Sequence, residues 1–201
     1  TSGAQLARYG ILVARTDPDV PKHRGLSYFV IDMHQPRIEV RPIHQMSGGS
    51  EFNEVFFTNL RVPDSQRLGP VGGGWKVSVV TLMNERMSIG GSAGPDYEHF
   101  MKLAREVTID GRPALENETF RSLIADWYVR SEGLKHVRMR SLTALSRGQT
   151  PGPENSIGKV VAANQAQELA SAALDMLDEF GLITDPNIAP MMGLFQQQWL
   201  S

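Results

Sequence analysis

The chain contains no cysteine. That excludes disulfides, thiolate nucleophiles and thiolate metal sites, and it fits a reducing compartment. No apolar run is long enough to cross a bilayer. No signal-peptide pattern or initiator methionine opens the sequence. Neither sign of charge dominates: 20 Lys and Arg face 22 Asp and Glu, for a formal net charge of −2. No electrostatic case therefore exists for nucleic acid or an anionic membrane. His23, His34, His44, His99 and His136 never fall at ligand spacing, so no metal site is expected. Internal repeats and low-complexity tracts are also missing.

What is there is a chain of 201 residues, 41% hydrophobic, enough for one large domain or two small ones. The first third reads as β. Residues 9–15, 27–33, 37–43 and 52–57 are short runs rich in Val, Ile, Phe and Tyr. Asp17-Pro-Asp-Val-Pro21, His34-Gln-Pro36 and Ser47-Gly-Gly-Ser50 separate them. Connections this short favour antiparallel neighbours. Four such strands alone leave two edges and one face bare, so partner strands are expected to be missing.

The remainder reads as helix. One segment spans about 75–89, and Gly90, Gly91, Gly94 and Pro95 then interrupt it. A second starts near Pro95-Asp96 and fades by Val107, and a loop follows over 109–113. Residues 118–146 are amphipathic, with Leu123, Ile124, Trp127, Leu134, Val137, Leu142 and Leu145 on one stripe. After a short connection over 148–153, the last long helix spans about 154–180. It turns Ile157, Val160, Val161, Leu169, Leu174 and Leu177 inward, with Gly181 as its C′ residue. Two long helices on a short loop pack antiparallel. The fold class is therefore α+β: a partial antiparallel β domain over 1–72, then a long-helix up-down bundle over 73–201. Both ends read as cuts through a longer protein.

Several motifs have bland explanations. Ser156-Ile-Gly-Lys159 fits the Ser-x-x-Lys pattern of penicillin-recognising enzymes, but no Ser-Asp-Asn or Lys-Thr-Gly accompanies it. Gly72-Gly73-Gly74 lacks both the Gly-x-Gly-x-x-Gly spacing and the βαβ context of a dinucleotide loop. Asn117-Glu-Thr119 is a chance glycosylation sequon. Arg130, Arg138, Arg140 and Arg147 read as a solvated helix face rather than a phosphate site. The most informative stretch is Thr81-Leu-Met-Asn-Glu-Arg-Met-Ser-Ile-Gly-Gly91, which sets the Glu85 carboxylate directly before the Arg86 guanidinium among apolar residues. Partial burial there raises a carboxylate's pKa and suits it to act as a general base.

Read together, several segments resemble the acyl-CoA dehydrogenase family. They are Gly10-Ile-Leu-Val-Ala-Arg-Thr-Asp17, His23-Arg-Gly-Leu-Ser-Tyr-Phe-Val-Ile-Asp32, Glu54-Val-Phe-Phe-Thr-Asn-Leu-Arg-Val-Pro63, Leu68-Gly69 and Gly72-Gly-Gly-Trp75, in family order and spacing. Ser156-Ile-Gly-Lys159 recurs as a family-like helix segment. The resemblance implies a flavoenzyme with N-terminal helices, a middle β domain and a C-terminal helical bundle. This chain would hold the latter part of the β domain and the bundle without its last helix.

The implied chemistry is FAD-dependent α,β-dehydrogenation of an acyl-CoA thioester. A glutamate removes the α-proton and the β-hydrogen leaves as hydride to the flavin. In one branch of the family the base lies on the first bundle helix just before an arginine, and Glu85-Arg86 matches that arrangement. Arg86 would orient Glu85 and the acyl-CoA-binding groups. Ser2 matches the hydroxyl residue of the family's Trp-x-Thr/Ser segment beside the flavin N5/O4 edge. Arg112 matches the arginine of an Arg-x-x-Phe-Gly turn that reaches the FAD pyrophosphate of a neighbouring subunit. Here the turn reads Arg112-Pro-Ala-Leu-Glu116, without Phe or Gly, and a later Gln-x-Phe-Gly-Gly segment is altered to Asp178-Glu-Phe-Gly-Leu182. The resemblance further implies a homo- or hetero-tetramer, electron-transfer flavoprotein as electron acceptor, and a cytoplasmic location, with the fragment inactive alone. Two alternatives stay open: a non-catalytic partner subunit of a hetero-oligomeric dehydrogenase, and an acyl-CoA oxidase.

Overall fold

Alternating exposure gives the first hairpin its shape. β1 (Tyr9–Arg15) points Tyr9, Ile11, Val13 and Arg15 outward and half-buries Gly10, Leu12 and Ala14, the period-2 pattern of a strand with one covered face. It pairs antiparallel with β2 (Leu26–Asp32), from Tyr9 opposite Asp32 to Arg15 opposite Leu26. β3 (Ile38–Pro42) pairs antiparallel with β4 (Asn53–Phe57). The short link between β2 and β3 does not make them sheet neighbours. The chain crosses to a second sheet there, and β2 takes the two-residue β5 (Arg67–Leu68) on its free edge instead. Pro36 in that link has no N–H to offer a ladder, which works against a continuous hairpin. Ile31 and Met33 are buried where both hairpins meet, packed by Leu12 and Phe29 from one and Ile38, Val40 and Val55 from the other.

The structure is a computed structural model and describes residues 1–88, 94–149 and 152–201. It divides into two compact units, Thr1–Asn84 and Glu85–Ser201. α1 (Gly74–Ser88) follows the glycine turn as expected. The expected interruption at Gly90 and Gly91 lies outside the described residues.

In the second unit, α2 (Tyr97–Glu106) starts on Asp96, whose side chain accepts from the backbone N–H groups of Glu98 and His99. Residues expected to form a loop instead make a tight hairpin, β6 (Thr108–Ile109) with β7 (Arg112–Pro113). Asp110 and Gly111 take positive φ at its tip, the conformation a two-residue hairpin turn demands. Asn117 caps α3 (Glu118–Ser146), accepting from Thr119 and Phe120, so the sequon asparagine has a structural task. α4 (Asn155–Leu177) returns antiparallel: Gln165 meets Trp127 and Ser131, and Glu168 meets Trp127 and Arg130. A short helix that the periodicity did not reveal, α5 (Leu194–Trp199), buries Phe195 against the same core.

That core holds Phe100, Leu103, Trp127, Leu169, Met176, Leu177 and Phe195. The inward stripes on α3 and α4 therefore hold at one end only. Leu142, Leu145, Ile157 and Val160 are exposed. Gly181 is not the C′ residue of α4. Asp178 ends the helix with φ 50°, and Gly181 lies buried in the following turn, where a Cβ would approach the Leu174 carbonyl to 3.0 Å.

Candidate functional site

The glycine turn seats α1 on β2. Gly72 has φ +74° and donates its N–H to Ser27 Oγ at 3.1 Å. A Cβ on Gly74 would lie 2.6 Å from the Ser27 carbonyl carbon, so only glycine lets the helix begin this close to the strand. Ser27 is fully buried and shares a 2.7 Å hydrogen bond with Thr16 Oγ1. Trp75, half-exposed on the first turn of α1, stacks on His23 with ring centroids 3.9 Å apart.

One turn before Glu85, a second polar tie fixes the helix. Thr81 Oγ1 donates to the Val77 carbonyl at 3.1 Å, so the Tyr28 hydroxyl, 3.0 Å away, is the donor to Thr81. Gly74, Ser78 and Thr81 follow one another at helical spacing along this tied stripe, and Glu85 is its next member. The partial burial expected of Glu85 is absent: its side chain is exposed. Arg86 follows on α1, and its side chain lies outside the described residues.

Ser2 sits in a fixed segment rather than at a loose end. It forms a bridge with Phe52, and its neighbours on both sides are tied down. Thr1 exchanges hydrogen bonds with Asn53, the Asn53 N–H to the Thr1 carbonyl at 2.8 Å and the Thr1 nitrogen to the Asn53 carbonyl at 2.9 Å. Gly3 N–H donates to the Glu51 carbonyl at 2.8 Å. The Ser2 side chain itself stays exposed. A neutral hydroxyl donor held on a rigid backbone suits the electron-rich edge of a flavin.

Arg112 is exposed at the β6–β7 hairpin, beside a shallow cavity of about 350 Å³ that Asp110, Pro113, Glu116 and Asn117 also line. A guanidinium there suits a phosphate, but two carboxylates share the cavity and oppose one. Glu85 is on α1 and Arg112 on β7, while Ser2 lies in the segment before β1. Among the described residues, no three His, Cys, Asp or Glu side chains gather as metal ligands, and no helix is long and apolar enough to cross a membrane. Arg130, read from sequence as solvated, is paired with both Asp126 at 2.5 Å and Glu168 at 2.7 Å. The sequence reading missed Ser27, Tyr28 and Asn53, the polar groups that tie the unit together. Their signal was faint: polar atoms inside runs otherwise built for burial.

The family profile described as the C-terminal domain of acyl-CoA dehydrogenase matches residues 72–194. The acyl-CoA dehydrogenase FadE34 of Mycobacterium tuberculosis is 37% identical over 185 residues, covering 91% of this chain and 25% of that protein. The acyl-CoA dehydrogenase IpdE1 of Mycolicibacterium smegmatis is 34% identical over 186 residues, covering 90% of this chain and 45% of the relative. The chain thus spans from a quarter to less than half of these relatives' lengths. Among solved structures, the ChsE4-ChsE5 complex of Mycobacterium tuberculosis superimposes with a TM-score of 0.77 at 22% identity, over 99% of this chain and 52% of the matched one. With its fold and the family profile in agreement, the chain belongs to the acyl-CoA dehydrogenase family.

Proposed function

We propose that this chain is part of an FAD-dependent enzyme that oxidises an acyl-CoA thioester to its 2-enoyl-CoA. The observation that supports the reading is a glutamate directly before an arginine, Glu85-Arg86, on α1 of a chain whose residues 72–194 match the family's C-terminal domain. Bound flavin would supply the hydride acceptor for the hydrogen leaving the β-carbon. The residues of this chain do the rest. The Glu85 carboxylate takes the α-proton and becomes a neutral acid. Arg86 orients Glu85 and the acyl-CoA. The Ser2 hydroxyl donates toward the flavin N5/O4 edge, where negative charge gathers. Arg112 is the candidate for a pyrophosphate contact. A proton and a hydride leave, and a carbon–carbon double bond forms.

Electron-transfer flavoprotein as the acceptor, a tetrameric assembly and a cytoplasmic location belong to the same reading. The bare end of the α3–α4 hairpin supports assembly, since Leu142, Leu145, Ile157 and Val160 stay exposed. One observation favours a second reading, a non-catalytic subunit of a hetero-oligomer. The Arg112 hairpin carries Asp110 and Glu116 around the would-be phosphate site, and a mixed complex is among the similar structures. Anaerobic addition of acyl-CoA substrates to the purified full-length protein separates the two. Loss of the oxidised flavin absorbance with formation of 2-enoyl-CoA supports the dehydrogenase, and a protein that holds no flavin refutes it.

A further inference from the structure

The segment carrying Ser2 depends on one buried side chain. Asn53 opens β4 and is only 3% exposed. Its Nδ2, with two N–H groups, lies within hydrogen-bond distance of three acceptors, the Thr1 carbonyl at 3.3 Å, the Glu51 carbonyl at 3.0 Å and Gln5 Oε1, so one N–H is shared. These contacts add to the two backbone bonds between Asn53 and Thr1. Thr1 O thus accepts from both the backbone and the side chain of Asn53. Glu51 O accepts from Asn53 Nδ2 and from Gly3 N–H, so Asn53 holds the peptide before Ser2 directly and reaches the one after it through the Glu51 carbonyl. The amide can sit only one way. Turned over, its oxygen would face two backbone carbonyl oxygens, those of Thr1 and Glu51, across hydrogen-bond distances. In this orientation Oδ1 has no hydrogen-bond partner in its buried position. A buried polar group left half-satisfied costs stability, so the residue's value lies in what its Nδ2 holds.

We propose that Asn53 is a positioning residue for the flavin edge, acting through the backbone of Thr1–Gly3 to fix where the Ser2 hydroxyl points. The assignment rests on the reading of Ser2 as a flavin donor. Asn53 itself touches no cofactor or substrate. Its amide restrains the peptide before Ser2 directly and the one after it through the Glu51 carbonyl, and the exposed Ser2 side chain inherits that restraint. A donor held in place ahead of charge transfer stabilises the reduced flavin more than one that must be ordered during it. Removing the restraint should therefore lower the flavin midpoint potential, as removing the hydroxyl should.

The test uses the flavin-loaded full-length enzyme with Ser2→Ala, Asn53→Ala, the milder Asn53→Ser and the double variant Ser2→Ala/Asn53→Ala. Two readouts are taken: amide hydrogen exchange over residues 3–7, and the flavin midpoint potential by dye equilibration. Both Asn53 variants are expected to speed exchange at Gly3, Leu6 and Ala7. Ser2→Ala and both Asn53 variants are expected to lower the potential, and the double variant should fall no further than Ser2→Ala alone. A merely structural role for Asn53 would change exchange but leave the potential alone. If Ser2→Ala lowers the potential while both Asn53 variants keep the wild-type value, the positioning role is overturned and the reading of Ser2 stands. Additive shifts in the double variant also overturn it. If Ser2→Ala keeps the wild-type potential, the reading of Ser2 fails and the positioning role falls with it.

Discussion

Leu169 is the sharpest probe of the helical unit. It is fully buried on α4 in the cluster built from Phe100, Trp127, Ala173 and Phe195. Three helices therefore wall the site, and a large aromatic on each of α2, α3 and α5 limits how far the space can close. Leu169→Ala removes three carbons and leaves a cavity, and buried Leu→Ala changes cost about 2–5 kcal/mol. With walls this rigid, about 3–4 kcal/mol is expected. For a chain of 201 residues, 1 kcal/mol moves Tm by about 2–4 °C, so a drop of roughly 10 °C follows. Leu182→Ala is the matched control, the same chemical change at a position 84% exposed, and it should stay within about 0.5 kcal/mol of wild type. The assay is a thermal melt followed by far-ultraviolet circular dichroism, with calorimetry to check the transition. A drop of less than about 3 °C for Leu169→Ala, or equal drops for the two variants, would refute this packing.

Gly74→Ala should weaken the seating of α1 by more than about 1 kcal/mol, since its Cβ would press into Ser27 backbone at 2.6 Å; a urea titration with unchanged midpoint would contradict the close approach. Asp96→Ala should cost about 1 kcal/mol at neutral pH through loss of the α2 cap. Burial pushes the Asp96 carboxyl up, but hydrogen bonds from His99 and the backbone N–H groups of His99 and Glu98 outweigh it and hold the pKa below the ordinary carboxylate value. With a depressed folded pKa, the cap's contribution is full above about pH 4 and fades as pH falls through the folded value. The gap between Asp96→Ala and wild type should therefore shrink on acidification, and a pH-independent gap counts against the cap. The 201-residue chain alone should elute from gel filtration without FAD, because it spans less than half the length of the relatives compared; a yellow monomer would sink that expectation.

Much of the fold is legible in the sequence because period and punctuation agree. β1, α1 and α3 stand where alternation, the glycine turn and a 3.6-residue stripe place them. The misses share a cause: tertiary contacts decided them. Pairing of β2 with β5 rather than β3 depends on a two-residue strand too short to carry any period. Leu142 and Val160 have the right phase for burial and stay exposed among the described residues. α5 is six residues long and follows left-handed residues at Met191, Met192 and Gly193, which no propensity announces. Among the site residues, the carboxylate at Glu85 was legible as a type and a place on a helix, but not its exposure. Exposure is a property of tertiary packing, which the local pattern around Glu85 does not encode.

The central claim, that Glu85 is the base, is tested most directly by proton exchange at the substrate's α-carbon. The full-length enzyme and its Glu85→Gln variant are mixed anaerobically in D2O with a 3-thia-acyl-CoA, whose sulfur at the β-position blocks hydride loss while leaving the α-protons acidic. Wild type should exchange the α-protons with solvent. Glu85→Gln should bind the ligand and retain flavin but exchange roughly a hundredfold to ten-thousandfold more slowly, the range that a positioned general base contributes. Exchange at the wild-type rate in Glu85→Gln, with ligand bound and flavin in place, would contradict the assignment and put the base on another residue.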